Sequence, residues 1–129
     1  MMILIVDDSL ACRLLARRCI ETAGIGAREF AYAMDGAQAL DLINAGGIDV
    51  LVTDINMPVM DGLELLKELT GANVLRPQFV IVMTSAVTDN LRALLDIYGV
   101  DQVVNKPLTM QKFAEAFTHM HADSDTPTW

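Results

Sequence analysis

Met2-Ile3-Leu4-Ile5-Val6-Asp7-Asp8-Ser9 is the stretch that decides the fold: an unbroken apolar run, then two carboxylates, then a residue able to cap a helix. A strand with one face in water alternates apolar and polar side chains, whereas a continuous apolar run of this length suits a strand covered on both faces. Two further runs share that character. Asp49 to Thr53 contains Val50, Leu51 and Val52 and leads into Asp54, and Phe79 to Met83 reads Phe-Val-Ile-Val-Met and leads into Thr84. Glu29 to Ala33 and Gln102 to Asn105 are shorter candidates, the second followed by Lys106 and Pro107.

Between the runs lie segments of helical length and period. Ser9 can cap a first helix carrying Leu10, Leu14 and Leu15 with Arg13, Arg17 and Arg18, and Gly24 stops it. Gly36 to Asn44 makes a second, ending at Gly46 and Gly47, and Asp61 to Thr70 a third, with Leu63, Leu65, Leu66 and Leu69, ending at Gly71. Asn90 to Tyr98 makes a fourth, ending at Gly99, and Thr109 can cap a fifth that runs to about His119. Strict alternation of strand and helix predicts an α/β domain with a parallel sheet and right-handed crossovers. For five strands and five helices the economical choice is the flavodoxin-like, doubly wound order 2-1-3-4-5, which binds ligands at the carboxyl ends of the first and third strands. Asp7, Asp8 and Asp54 stand at those ends.

At 129 residues and 53% hydrophobic, the chain is sized for one domain with a full core. That domain is expected over residues 1–120, with 121–129, which mix Asp, Ser, Thr and Pro without periodicity, as a flexible tail. The balance of 17 acidic against 9 basic residues gives a formal charge of −8, which argues against direct contact with nucleic acid or an anionic membrane. No apolar stretch approaches a membrane span, and the amino terminus carries no basic region or cleavage site, so a soluble, cytoplasmic protein is expected. Cys12 and Cys19, separated by roughly 10 Å of helical rise, cannot bridge each other and read as small buried apolar residues.

Three carboxylates crowded at one rim repel one another, and in a dry cluster they would shift their pKa values upward and neutralise unless a cation intervened. Asp7, Asp8 and Asp54 therefore ask for a divalent metal and a lysine. Lys106 and Thr84, at neighbouring strand ends, complete a set suited to holding a phosphoryl group.

Val6-Asp7-Asp8-Ser9, Asp54-Ile55-Asn56-Met57-Pro58-Val59-Met60-Asp61-Gly62, Met83-Thr84-Ser85-Ala86 and Asn105-Lys106-Pro107-Leu108 together resemble the receiver domains of two-component response regulators. The resemblance covers Met2 to about His119 and is nearest the free-standing, chemotaxis type. The resemblance implies the same winding. The resemblance implies that Asp54 is the phosphoacceptor, attacking the phosphorus of a phosphohistidine on a histidine kinase or phosphotransfer protein. It assigns Mg²⁺ to Asp7, Asp8, Asp54 and the backbone carbonyl of Asn56. Lys106 would pair with one phosphoryl oxygen, and Thr84 would donate its hydroxyl to another, drawing the following loop inward. Pro107 makes the preceding peptide a candidate for the cis form. Asn56 and Ala86 would flank the path of attacking water, and small, uncharged Ala86 implies an acyl phosphate of short to intermediate lifetime. The only catalysis implied is of the chain's own phosphorylation and dephosphorylation.

The chain departs from the family at Val103, where many receivers carry an inward-turning Tyr or Phe, with Tyr98 as a candidate substitute. Phe113 and Phe117 read as core. The output is expected on the face of the fourth helix, fifth strand and fifth helix, acting on a target protein, and the apolar character of those helices leaves a homodimer open. The basic first helix, around Arg13, Arg17 and Arg18, is a candidate docking edge for the kinase. His119 and His121 read as solvated at a helix end.

Two readings from other classes compete. A pseudo-receiver would be a constitutive protein-binding module that never turns over phosphate; Val103 favours it, and the full set of Asp7, Asp8, Asp54, Thr84 and Lys106 opposes it. A metal-dependent phosphohydrolase with an aspartyl nucleophile would need a further acid or base near Asp54, where Ile55, Asn56 and Met57 offer none. Each residue alone has a plainer role, Asp7 and Asp8 as helix caps and Lys106 as a surface lysine, and only their joint placement points to a site.

Overall fold

The computed structural model describes residues 1–26 and 29–124. Strands and helices alternate throughout: β1 (Met2–Val6), α1 (Leu10–Thr22), β2 (Glu29–Ala33), α2 (Gly36–Asn44), β3 (Val50–Asp54), α3 (Gly62–Glu68), β4 (Phe79–Thr84), α4 (Asp89–Ile97), β5 (Gln102–Asn105) and α5 (Met110–Ser124). Every pairing is parallel, and the five strands lie in the order β2-β1-β3-β4-β5. This is the doubly wound order expected from the sequence. Because β1 leads outward to β2 and the chain then returns to β3 on its other side, the carboxyl ends of β1 and β3 flank the switch point where such sheets bind ligands.

The continuous apolar runs are explained by a sheet covered on both faces. Ile3 and Ile5 of β1 join Val50 and Val52 of β3 in a layer with Ala16, Cys19 and Ile20 of α1 and Phe113, Ala116 and Phe117 of α5. Leu4 and Val6 point the other way, with Leu51, into a layer with Ala39 and Ile43 of α2, Leu65 and Leu66 of α3, and Leu95 of α4. Phe113 and Phe117 are fully buried, as expected, and the Phe117 ring lies 5.9 Å from that of Phe79 in a tilted contact.

Several boundaries differ from expectation for local reasons. Asp49 precedes β3 and works as a tie between strand starts: its Oδ2 accepts from Met2 N at 2.8 Å and its carbonyl accepts from Gln78 N at 3.0 Å. Thr88 caps α4 through a bond from Leu91 N to its Oγ1 at 3.1 Å, which starts that helix a residue early. α5 continues to Ser124, so the first part of the segment expected as a tail from His121 is helical; residues 125–129 lie outside the described residues. His119 is exposed, and the side chain of His121 lies outside the described ones.

α1 has apolar side chains on more than one face, and only one of these faces turns inward. Ala16, Cys19 and Ile20 are buried, while Leu10, Leu14 and Leu15 are 60%, 53% and 44% exposed. Both cysteines are free thiols, but only Cys19 is buried; Cys12 is half-buried, which corrects the reading of both as core. Among the described residues no helix is long and apolar enough to cross a membrane.

Candidate functional site

The chain that leaves β1 is held so that its carboxylates are not consumed as helix caps. Ser9 takes that role, its Oγ accepting from Cys12 N at 3.3 Å. Asp7 is 1% exposed; its Oδ1 accepts from Ser9 N at 2.9 Å, its carbonyl from Arg13 Nη1 at 2.7 Å, and its own N–H donates to Ala33 O at 3.1 Å. Asp8, next in sequence, is exposed. At the end of β3, Asp54 is 8% exposed and its Oδ1 accepts from Ile55 N at 2.7 Å. One oxygen from each of Asp7, Asp8 and Asp54 falls within 4.8 Å of the others. A cluster of hard oxygen donors, open to water on the Asp8 side, fits a small divalent cation such as Mg²⁺ that keeps several waters.

Lys106 enters from the end of β5. Its Nζ lies 3.3 Å from Asp7 Oδ2 and 3.3 Å from Asp54 Oδ2. Partial burial alone would lower its pKa, but the carboxylates of Asp54 and Asp7 outweigh that effect and hold the ammonium above its ordinary range. Its backbone N–H donates to Thr84 O at 2.8 Å, and the Lys106–Pro107 peptide is cis, as the resemblance implied. Thr84 is buried, and its Oγ1 accepts from Ala86 N at 3.3 Å, an arrangement that leaves the hydroxyl proton for a further acceptor.

The loop between β3 and α3 is braced on several sides. Gly62 N donates to Ile55 O at 2.8 Å, so closely that a Cβ on Gly62 would run into the Asp54 carbonyl. Gly36 N reaches across from the start of α2 to Met60 O at 2.8 Å, and Met60 N closes a three-residue turn on Pro58 O at 2.8 Å around Val59, whose φ is 67°. Asp61 and Glu64 form a reciprocal capping box at the start of α3. Asn56 and Ala86 are both exposed at the mouth of the site.

The five residues expected at one rim are thus brought together. The basic edge expected on α1 is altered. Arg13 is bound to the Asp7 carbonyl, and Arg17 stacks on the Phe30 ring at 4.9 Å, donates to Tyr32 Oη at 2.7 Å and pairs with Glu21 at 3.3 Å, leaving Arg18 as the exposed arginine of the three. Spacing alone offered a weak signal for Arg13, which lies six positions after Asp7 on the adjoining helix. Val103 and Tyr98 are both half-buried against the layer that holds α2, α3 and α4.

The family model described as the response regulator receiver domain matches residues 3–118. Response regulator MprA of Mycobacterium tuberculosis is 36% identical over 110 residues, covering 85% of this chain and 46% of that protein. A protein-glutamate methylesterase/protein-glutamine glutaminase of Caulobacter vibrioides is 39% identical over 108 residues, covering 80% of this chain and 29% of that protein. The chain therefore spans less than half the length of these curated relatives. Among solved structures, the bacteriophytochrome response regulator RtBRR superposes with a TM-score of 0.80 at 25% identity, covering 99% of this chain and 79% of that one. A chemotaxis response regulator of Vibrio cholerae shares the fold, with a TM-score of 0.78 at 24% identity and coverage of 92% and 96%. With the fold, the strand-end residues and the family model in agreement over nearly the same span, this chain belongs to the response regulator receiver domains of two-component signalling.

Proposed function

We propose that this domain is a phosphorylation-dependent switch in which Asp54 receives a phosphoryl group from the phosphohistidine of a histidine kinase or phosphotransfer protein. A carboxylate oxygen of Asp54 attacks the phosphorus, the new O–P bond forms as the P–N bond breaks, and the electron pair of that bond departs with the histidine ring. The observation that carries this reading is the Lys106 ammonium placed 3.3 Å from both Asp54 and Asp7, beside a third carboxylate. A plain ion pair has no use for three carboxylates.

Asp7, Asp8, Asp54 and the Asn56 carbonyl would hold Mg²⁺. When bound, that ion supplies charge screening between the nucleophile and the incoming phosphoryl oxygens. The chain's own residues do the remainder. Lys106 neutralises one phosphoryl oxygen, Thr84 donates its hydroxyl to another, and the backbone N–H of Ile55 orients the Asp54 carboxylate. A Thr84 drawn toward the phosphoryl group carries with it the loop into α4, and the change reaches a target protein through the face of α4, β5 and α5. Asn56 and Ala86 are both exposed, which supports an acyl phosphate open to water and of short to intermediate lifetime.

The test is the intact mass after incubation with Mg²⁺ and acetyl phosphate, for the wild type and Asp54→Asn. A gain of one phosphoryl mass that needs Mg²⁺ and is lost in Asp54→Asn is expected. No gain with any donor would overturn the switch and favour the second reading, a constitutive binding module, which the half-buried Val103 in the usual aromatic position supports.

A further inference from the structure

Lys112 lies in α5, outside the acidic cluster, and phosphoryl transfer as described above makes no use of it. Its ammonium nevertheless donates to Asn105 O at 3.0 Å and to Pro107 O at 2.8 Å. These are the carbonyls on either side of Lys106. Lys112 is itself fixed, because its backbone N–H donates to Thr109 Oγ1 at 3.2 Å at the cap of α5 and the adjoining Phe113 is fully buried. On the opposite side Lys106 N donates to Thr84 O at 2.8 Å. The backbone of Lys106 is therefore gripped from both directions at the point where β5 has ended and α5 has not begun.

A lysine delivers a point charge on a flexible stem, so the precision of its Nζ depends on how firmly its backbone is held. We propose that Lys112 is a positioning residue for phosphoryl transfer: by clamping the two carbonyls that flank Lys106, it sets the point from which the Lys106 ammonium reaches the phosphoryl oxygens. The proposal rests on Asp54 being the phosphoacceptor. It requires that any effect of Lys112 pass through Lys106.

The experiment uses the whole chain and four variants: Lys112→Met, which keeps the methylene stem and removes the donors, Lys112→Arg, Lys106→Ala, and Lys106→Ala with Lys112→Met. The initial rate of Mg²⁺-dependent mass gain from acetyl phosphate is measured at limiting and saturating donor. Lys112→Met is expected to slow it about tenfold, Lys112→Arg to restore most of the loss, and Lys112→Met to add nothing in the Lys106→Ala background. Amide exchange without donor is the companion measurement. In Lys112→Met the Lys106 N–H is expected to exchange about tenfold faster while β4 amides keep their protection, which separates a loosened clamp from a protein that folds poorly. A Lys112→Met protein as fast as the wild type, or one slowed equally in both backgrounds, overturns the role of Lys112 alone. A wild type that takes up no phosphoryl group overturns the phosphoacceptor reading and this proposal with it.

Discussion

The Lys106 ammonium and the Asp54 carboxylate, 52 positions apart in the chain, meet at 3.3 Å. Burial opposes charge on that lysine, but Asp54 and Asp7 overcome it and raise its pKa in the folded state. A group whose pKa is raised on folding contributes stability that is complete below its unfolded value, about 10.4 for lysine, and is lost as pH rises through the folded value. In Mg²⁺-free urea unfolding, the wild type is therefore expected to exceed Lys106→Met by a constant margin up to about pH 9, with the margin shrinking above about pH 10.4. A margin that stays flat into the alkaline range would show that the ion pair contributes nothing.

Gly62 is predicted to be the least replaceable glycine near the site. A Cβ there meets the backbone of Asp54 and Ile55, which cannot swing aside as a side chain can. Gly62→Ala is expected to cost about 1–3 kcal/mol by overpacking and to depress phosphorylation, since the displaced backbone is that of Asp54, the proposed phosphoacceptor. Gly47, with φ 90° and nothing within 4 Å of the point a Cβ would occupy, supplies the contrast. Gly47→Ala is expected to lose only about 1 kcal/mol, from conformation alone, and to leave phosphorylation intact. Urea midpoints and mass gain for the two variants check both halves.

Val59 is a β-branched residue at φ 67°, a region such side chains avoid, and it is 82% exposed, so little packing offsets the strain. Val59→Gly is expected to raise stability by about 1 kcal/mol, because a residue without a Cβ adopts positive φ without the clash. Chemical denaturation reads this directly. A loss of stability would mean that Val59 makes a contact stronger than its strain.

Much of this fold was legible in the sequence because the informative signals were redundant. β1, β3 and β4 contain continuous apolar runs, each followed by a polar residue, and burial on both faces is the physical reason for the runs. The shared rim of Asp7, Asp8, Asp54, Thr84 and Lys106 followed from strand ends alone. The inner face of α1 did not, since period identifies an apolar stripe without saying which of two turns inward. Leu10 and Leu14 stay exposed, while Ala16, Cys19 and Ile20 turn into the layer shared with α5. The acceptors of Arg13 and Lys112 were also illegible. Each side chain acts by donating to backbone carbonyls, which every residue possesses, so no pattern of side chains marks the acceptor. Val59 runs against its own propensity and is visible only in the backbone.

Asp8 separates metal binding from structural support within the acidic cluster. Asp7 is committed internally, its oxygens engaged by Ser9 N and Lys106 Nζ, so its replacement would disturb the loop as well as any ion. Asp8 is exposed, and Asp8→Asn is expected to leave stability without metal unchanged or to raise it, because it removes one of three mutually repelling carboxylates. An ion that binds only the folded state stabilises it by about 2.7 kcal/mol when present at about a hundredfold over its Kd. The unfolding midpoint of the wild type is therefore expected to climb with Mg²⁺, at ionic strength held constant with KCl so that general screening is removed as a cause. In Asp8→Asn most of that climb should vanish, because the cluster has lost one of its charges and its most accessible donor. Equal climbs in the two proteins would place any Mg²⁺ elsewhere than among Asp7, Asp8 and Asp54, and the three carboxylates would then owe their company to Lys106 alone.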